Sequence, residues 1–242
     1  RYRKAARQAS LGFGKKRSKG RQDMERYMKQ LQDMNFKGSI MYHFYNEPLL
    51  DERLPEFISY VSENLPQCMS RVFSSGDFLT PQLADSLFDA GLFDMVITDH
   101  NIRPGRVVKR IAPIIEKYGD KISMNRLYEK PLMNRASSIE LEDNIKVQKS
   151  VNGHCQSVYE ELNITYTGDL LLCSSDYHRT QVFGNVNNNS ILDIYRTPKF
   201  TAARKEIISG QPYFEICRTC SSFIGDTSAP SLGEEIPLST GT

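Results

Sequence analysis

Several features are missing from this sequence, and each absence excludes a class of protein. No apolar run approaches the length of a membrane span, and no secretory signal is recognised. The 31 Lys and Arg residues nearly balance the 29 Asp and Glu residues, so the formal net charge of +2 does not favour nucleic-acid binding. The five cysteines are odd in number and gathered late in the chain, unlike the disulfide framework of a secreted protein. We therefore expect a cytoplasmic globular protein whose partners include neither a membrane nor a nucleic acid.

Helical and strand-like segments alternate over the first part of the chain. Apolar residues at helical spacing predict helices at 24–34, 54–65, 81–90 and 104–118, with Asp23 and Thr80 as the N-caps of the first and third. Short apolar runs predict strands at 39–44, 69–73, 95–98 and 121–127. This alternation with short connections predicts an α/β fold with a parallel sheet or barrel. In such folds the functional residues lie at the C-terminal ends of the strands.

The pattern changes near residue 150. Strands at 164–167 and 170–173 are predicted to form a β-hairpin through Gly168 and Asp169. Ser190 is predicted to cap a short helix at 191–196, and a second helix follows at 198–208. We therefore predict a first domain at residues 1–150 and a second at 151–225. Residues 226–242, which are rich in Ser, Thr, Gly and Pro, are predicted to form a flexible tail.

Four of the five cysteines lie in the second domain and predict a metal centre. Cys217 and Cys220 form a CxxC pair, a spacing that allows two thiolates to bind one metal centre, and Cys155 and Cys173 complete a set of four. Four thiolates suit a tetrahedral zinc ion or an iron–sulfur cluster, and the residue types alone do not distinguish these metals. The fifth cysteine, Cys68, is predicted to be a buried free thiol.

Polar loops follow the predicted strands of the first domain. The loop Asn46-Glu47-Pro48-Leu49-Leu50 resembles the GEPLL loop of radical S-adenosylmethionine (radical SAM) enzymes. Ser74-Ser75-Gly76 stands where that family usually has Thr-Asn-Gly, and the segments 42–45 and 76–80 are similar to those of its dehydrogenase branch. In the second domain, the order of cysteines and glycines resembles the truncated SPASM, or twitch, auxiliary-cluster domain; the matching residues are Cys155, Gly168, Cys173, Gly184, Asn185, Val186, Ser190, Ile191, Cys217 and Cys220.

This resemblance implies a fold and a reaction. The fold is α/β, a partial (β/α) TIM-like radical SAM barrel with a small C-terminal α+β twitch domain. The barrel would hold a SAM-binding [4Fe–4S] cluster, and the twitch domain an auxiliary [4Fe–4S] cluster. Cleavage of SAM gives a 5′-deoxyadenosyl radical, which takes a hydrogen atom from a substrate carbon. In the dehydrogenase branch the substrate then loses a proton, passes an electron to the auxiliary cluster, and a hydroxyl becomes a ketone.

The resemblance also implies roles for individual residues. Metal ligands would be Cys155, Cys173, Cys217 and Cys220. The SAM site would include Asn46, Glu47, Pro48, Ser75, Asp99 and His100. Near the substrate, Arg135 would bind a hydroxyl group and Tyr45 would pack on the ligand; an Arg stays cationic in proteins, which makes it a poor general base. Each of these residues also has a simpler interpretation. Glu47 is then an acid at a helix start, Tyr45 is a structural aromatic residue, and Asp99 and His100 are ordinary polar residues of a loop.

One departure from the family pattern affects the expected function. The CxxxCxxC motif that binds the catalytic cluster should fall on Tyr2, Ala6 and Ala9, none of which is a thiolate, and the first barrel strand is expected to be absent. The predicted function is oxidation of a cyclitol, a sugar alcohol or a similar small polar substrate, with an external one-electron donor such as flavodoxin or ferredoxin. The alternatives are a radical SAM enzyme that modifies a peptide and a non-catalytic scaffold that binds a metal.

Overall fold

The computed structural model describes residues 17–100, 105–126, 136, 155, 157–211 and 214–220. The chain divides into two compact units, residues 1–129 and residues 130–242. Both units combine helices with strands, which confirms a mixed α/β fold. Among the described helices, none has the combined length and apolar content that crossing a membrane requires.

A four-stranded parallel sheet forms the centre of the first unit. Its strands lie side by side in the order in which they occur in the chain, and helices connect them. The regular elements are α1 (Arg17–Asp33), β1 (Ser39–Met41), α2 (Leu54–Asn64), β2 (Met69–Ser74), α3 (Pro81–Asp89), β3 (Asp94–Asp99), α4 (Arg106–Tyr118) and β4 (Ile122–Arg126), with 3-10 turns at Pro48–Leu50 and Gly119–Lys121. The predicted parallel sheet is therefore confirmed.

The core of this unit lies between one face of the sheet and the connecting helices. Met95 and Ile97 of β3 are completely buried, whereas the residues that alternate with them on the strand are partly exposed. Helix α4 buries Val107, Ile111 and Ile114, which lie on one helical face. Because the carboxyl ends of the four strands point the same way, the loops that follow them lie along one edge of the sheet.

Several element boundaries differ from the sequence prediction, among them the start of helix α1. Helix α1 begins at Arg17, so Asp23 lies within the helix and is not its N-cap. Lys and Arg are good helix formers, which favours extension through this basic segment although Gly20 lies within it.

Strand β1 ends at Met41 and does not continue to residue 44 as predicted. Tyr45 adopts a φ of 62°, in the left-handed region, which turns the chain away from the strand direction. The side chain of Asn46 stabilises this turn, because its Oδ1 accepts a hydrogen bond from the Phe44 N–H at 2.6 Å.

A three-stranded antiparallel sheet lies in the second unit. Its strands are β5 (Asn163–Ile164), β6 (Asp169–Leu171) and β7 (Val182–Asn185), and its helices are α5 (Ser157–Glu160), α6 (Ile191–Tyr195), α7 (Pro198–Ile208) and α8 (Glu215–Arg218). The predicted hairpin is present. Gly168 in its turn has a φ of 88°, and a Cβ at this position would lie only 2.3 Å from the side-chain nitrogen Nδ2 of Asn187. The predicted cap of α6 is also confirmed, since Ser190 Oγ accepts from the Asp193 N–H at 3.0 Å.

Candidate functional site

Glu47 is held at the carboxyl edge of the first unit's sheet. It precedes the 3-10 turn Pro48–Leu50, and its side chain caps that turn by accepting a hydrogen bond from the Leu49 N–H at 3.2 Å. Pro48 is buried at the first position of the turn, where a missing N–H costs nothing. The loop after β1 therefore fixes both the backbone and the side chain of this carboxylate.

The carboxylate of Glu47 also joins this loop to the end of β2. Ser74 Oγ donates to Glu47 Oε1 at 2.7 Å, while the Ser75 N–H and Ser75 Oγ contact Oε2 at 2.9 and 3.0 Å. With the Leu49 bond, four donors surround the two oxygens, which is about the full acceptor capacity of a carboxylate. Because β1 and β2 are parallel neighbours, residues 27 and 28 positions apart meet at this point.

Gly76 and Arg110 shape the turn that carries Ser74 and Ser75. Gly76 has a φ of 72°, and a Cβ placed there would lie 2.8 Å from Ile97 Cγ2. The guanidinium of Arg110, on α4, donates to the Leu79 carbonyl at 2.8 Å and also to the Gly76 carbonyl. The turn is thus fixed from the core side and from the neighbouring helix.

Asp99 ends β3 on the same edge. Its carboxylate is almost completely buried, and Oδ2 accepts a hydrogen bond from the Gly105 N–H at 3.2 Å, just before α4. His100 follows and is exposed, while residues 101–104 lie outside the described part of the chain. The described bond of Asp99 therefore holds the loop between β3 and α4.

The remaining predicted residues of the first unit have different placements. The Asn46 side chain bonds to its own loop, accepting from the Phe44 N–H and donating to the Tyr42 carbonyl at 3.4 Å. The Tyr45 ring packs against the Phe44 ring, with centroids 4.3 Å apart. The predictions for Arg135 and for the motif positions Tyr2, Ala6 and Ala9 fall outside the described residues.

The four cysteines of the second unit influence one another electrostatically. The pKa of Cys173 is raised to about 12, mainly by burial and in part by the nearby thiols of Cys155, Cys220 and Cys217. Burial likewise raises the pKa of Cys217 to about 11, with added contributions from Cys155 and Cys220. The four cysteines lie in the segment before α5, in the loop after β6, and in helix α8 and the residues at its end, and none of these described cysteines forms a disulfide. The fold therefore gathers cysteines that are up to 65 positions apart, from Cys155 to Cys220.

Asp176 organises the loop that follows Cys173. Its carboxylate is 2% exposed; Oδ1 accepts from the Thr180 N–H and hydroxyl at 2.8 and 3.0 Å, and Oδ2 accepts from the Gln181 N–H at 2.7 Å. Its charge also contributes to the raised pKa of Cys217, which places it near the thiols. Asp176 therefore holds together the turn that leads away from the cysteine site.

The donor set of this site fits an iron–sulfur cluster. Four thiols from one domain are the full ligand set of a four-iron cluster, and the same set can hold one zinc ion. Within the described residues, no three His, Cys, Asp or Glu side chains are placed as a ready-made site for a single metal ion.

Ser74 and Arg110 have site contacts that the sequence interpretation did not assign. The buried alternation of β2 was a usable signal, because it places Ser74 on the same covered face as Val72, at the end of the strand. Arg110 gave no such signal, since a basic residue on an amphipathic helix is most often a solvated one.

Comparison with known proteins supports the motif interpretation. Residues 155–221 match the SPASM family, an iron–sulfur cluster-binding domain. The chain is 27% identical over 212 residues to the S-adenosyl-L-methionine-dependent 2-deoxy-scyllo-inosamine dehydrogenase of Niallia circulans, covering 86% of this chain and 84% of that protein.

Two solved structures have a similar fold. The crystal structure of BtrN in complex with AdoMet, which is SAM, and 2-DOIA has a TM-score of 0.72 at 27% identity, covering 81% of this chain and 78% of that one. The structure of native anSMEcpe with bound AdoMet has a TM-score of 0.56 at 13% identity, covering 85% and 82%, a likeness of fold alone. The chain is therefore similar to a SAM-dependent dehydrogenase over most of its length, and residues 155–221 match an iron–sulfur cluster-binding domain, as the motifs predicted.

Proposed function

We propose that this chain is a radical SAM oxidoreductase that converts a hydroxyl group of a cyclitol, a sugar alcohol or a similar small polar substrate into a ketone. The observation that carries the proposal is the set of four mutually interacting thiols within residues 155–221, the part that matches an iron–sulfur domain. The relationship to a SAM-dependent dehydrogenase over most of the chain supports the reaction type. In this reaction the substrate carbon loses one hydrogen atom, the hydroxyl group loses a proton, and the substrate passes one electron to an acceptor.

The second unit is proposed to be a twitch domain, residues 151–225, that binds an auxiliary [4Fe–4S] cluster. Its ligands would be Cys155, Cys173, Cys217 and Cys220. The match of residues 155–221 to an iron–sulfur cluster-binding domain favours a cluster over zinc. When bound, the cluster would supply a one-electron acceptor beside the substrate. Asp176 would keep the loop after Cys173 in place.

The carboxyl edge of the first unit is proposed to bind SAM, as part of a partial (β/α) barrel. Glu47 would bind the ammonium group of SAM, because its carboxylate is already oriented by hydrogen bonds from two loops. The residues proposed to complete the SAM site are Asn46, Pro48, Ser75, Asp99 and His100. In the family a second [4Fe–4S] cluster generates the radical, but the cysteines that would bind it are absent at the expected positions Tyr2, Ala6 and Ala9.

Two residues are proposed to contact the substrate. Tyr45 combines an aromatic ring with a left-handed backbone in the loop after β1, a costly conformation that is common at binding sites. Arg135 would donate hydrogen bonds to a substrate hydroxyl. The external electron donor would be a small redox protein such as flavodoxin or ferredoxin.

A second function is favoured by one specific feature of the sequence. Tyr2, Ala6 and Ala9 stand where the family places the cysteines of its catalytic cluster. A chain without those thiolates would bind an iron–sulfur cluster or zinc in its second unit without cleaving SAM. It would then act as a metal-binding scaffold for a partner.

Metal analysis of anaerobically reconstituted protein tests the cluster. We expect about four iron atoms per chain and the broad visible absorption of thiolate-ligated iron. Cys173→Ser should lower the iron content, whereas the matched variant Cys68→Ser, which changes the cysteine outside the set, should leave it unchanged. Stoichiometric zinc with no iron would refute the cluster assignment.

Product analysis separates the oxidoreductase from the scaffold. The natural chain and a Tyr2→Cys/Ala6→Cys/Ala9→Cys variant are each incubated with SAM, a reductant and 2-deoxy-scyllo-inosamine or a sugar alcohol. Release of 5′-deoxyadenosine together with a ketone from either protein supports the oxidoreductase. Iron binding with no 5′-deoxyadenosine from both proteins supports the scaffold.

A further inference from the structure

Ser74 links the two loops that meet at Glu47. Its side chain lies at the end of β2 and is 6% exposed. The hydroxyl donates to Glu47 Oε1 at 2.7 Å and accepts a hydrogen bond from the Gly76 N–H at 2.9 Å. One buried hydroxyl therefore connects the carboxylate of the first loop with the tight turn of the second.

The other contacts of Glu47 are of a different kind. The bonds from the Leu49 and Ser75 N–H groups come from the backbone, so they do not depend on which side chain occupies those positions. The Ser75 hydroxyl contacts Oε2 at 3.0 Å, but Ser75 is only partly buried. Ser74 thus supplies the shortest contact to Glu47 and the only buried side-chain donor among those described.

An incoming ammonium group meets a carboxylate whose acceptor positions are already in use. The partly exposed Ser75 hydroxyl can rotate away and give its place on Oε2 to the ligand, because a hydroxyl has a free rotor. Both hydroxyl oxygens also accept a backbone hydrogen bond, but the bond from the Asp77 N–H to Ser75 Oγ is 3.3 Å long, whereas that from the Gly76 N–H to Ser74 Oγ is 2.9 Å. The Ser74 hydroxyl is also buried, so it is the more firmly held of the two. Oε1 therefore stays fixed while Oε2 exchanges its donor.

We propose that Ser74 is a positioning residue that holds the Glu47 carboxylate ready for the ammonium group of a ligand. The inference rests on the proposed function, in which that ligand is SAM. A Glu side chain loses rotamer freedom when it becomes ordered, and a site that is ordered beforehand avoids this loss on binding. Ser74 would thus contribute to SAM affinity without touching SAM.

Calorimetric titration of the full-length protein with SAM and with 5′-methylthioadenosine tests this role. Methylthioadenosine keeps the adenosine part of SAM and lacks the amino acid part, so its binding does not use Glu47. For Ser74→Ala we expect SAM affinity to fall about tenfold, the size of one hydrogen bond to a charged group, while methylthioadenosine affinity stays within about twofold. Ser74→Thr keeps the hydroxyl and should restore SAM binding.

Ser70→Ala is the matched control, because Ser70 lies on the same strand and the same buried face. Its hydroxyl is 2.9 Å from the Tyr42 hydroxyl and does not contact Glu47 among the described bonds. This variant should lose a comparable hydrogen bond and leave the affinities for both ligands unchanged. If Ser74→Ala does not fold, Ser74→Cys, which has similar size and a weak donor, takes its place in the titrations.

The outcomes separate this inference from the proposed function. If the natural protein binds neither ligand, the proposed SAM site is wrong and the role of Ser74 is wrong with it. If the natural protein binds SAM and Ser74→Ala binds it equally well, or loses both ligands equally, only the positioning role is overturned. Combining Ser74→Ala with Glu47→Gln should cost no more SAM affinity than Glu47→Gln alone, since Ser74 acts through Glu47.

Discussion

Replacement of Gly76 by alanine tests how the turn after β2 is built. Gly76 has a φ of 72°, in the left-handed region that side chains with a Cβ rarely adopt. A Cβ there would also lie 2.8 Å from Ile97 Cγ2 and 3.0 Å from Val107 Cγ1. Both neighbours belong to the buried core, and both are β-branched, so their methyl groups cannot turn aside cheaply.

The expected cost of Gly76→Ala has two parts. The left-handed backbone costs about 1–2 kcal/mol for a residue with a Cβ. Overpacking of a close-packed core adds about 1–3 kcal/mol. The sum of about 2–5 kcal/mol is a large share of the roughly 5–15 kcal/mol that stabilises a typical domain.

Gly105→Ala is the control that separates the backbone cost from the packing cost. Gly105 also has a positive φ, 91°, but a Cβ added there would meet nothing within 4 Å. This control should therefore lose only the backbone contribution, about 1–2 kcal/mol. The difference between the two variants measures the clash with Ile97 and Val107.

Urea unfolding followed by circular dichroism provides the measurement, with the free energy of unfolding taken from linear extrapolation. We expect Gly76→Ala to be less stable than Gly105→Ala by at least about 1 kcal/mol. Equal losses in the two variants would refute the packing argument and leave only the backbone conformation as the reason for glycine. A shift of the turn should also weaken SAM binding, because the Gly76 N–H bonds to Ser74 Oγ.

Two further predictions concern the second unit. In the metal-free protein the pKa of Cys173 is raised to about 12 and that of Cys217 to about 11, so the folded state keeps protons that the unfolded state loses above about pH 9. The contribution of these two thiols to the free energy of unfolding should therefore be constant below about pH 9 and fall between about pH 9 and 11, by up to about 1.4 kcal/mol per pH unit and thiol. Urea unfolding across this range should show a smaller slope for Cys173→Ser, and an equal slope would contradict the assignment. Asp176→Ala removes a buried acceptor of three hydrogen bonds and should cost about 3 kcal/mol in urea unfolding, whereas the exposed Asp193→Ala should cost at most about 0.5 kcal/mol. Equal losses for the two aspartates would show that the Asp176 bonds do not stabilise the loop.

The regular elements were largely predictable from local patterns. Strand alternation and helical spacing placed β2, β3 and α7 within about two residues, because each pattern reports a face that must be buried. Helix caps have a similarly local signal in the sequence. The hydroxyls of Thr80, Ser190 and Thr197 accept hydrogen bonds from backbone N–H groups at the starts of their helices. Thr197 was not identified from the sequence, although Pro198 at the first helical position is a signal for it.

The errors in the prediction also have physical causes. Strand β1 ends early because the Asn46 side chain offers the backbone of Phe44 a competing hydrogen bond. Helix α1 begins early because glycine in a helix costs only about 1 kcal/mol, which neighbouring basic helix formers can offset. Neither effect changes the hydrophobic pattern, so neither boundary can be predicted from that pattern.

The sequence predicted several residues of the candidate site, but it predicted few of the contacts between them. Glu47 and Ser75 were named from a motif, and the structure shows that they bond to each other. Ser74 was quoted only as part of that motif and was given no role, and Arg110 was not named, although both bond to the same turn. The chemistry of a hydroxyl or guanidinium group does not reveal which distant loop it contacts.

The sequence by itself determined the α/β alternation, the caps, the turn glycines and the four thiols of one domain. These features depend on residues close together in the chain or on the chemistry of single side chains. Only the tertiary structure decided which groups share a site. Parallel pairing of β1 with β2 brings Glu47 to Ser74, and the packing of the second unit brings Cys155 into the electrostatic range of Cys220, because burial of distant apolar faces, not local sequence, sets those approaches.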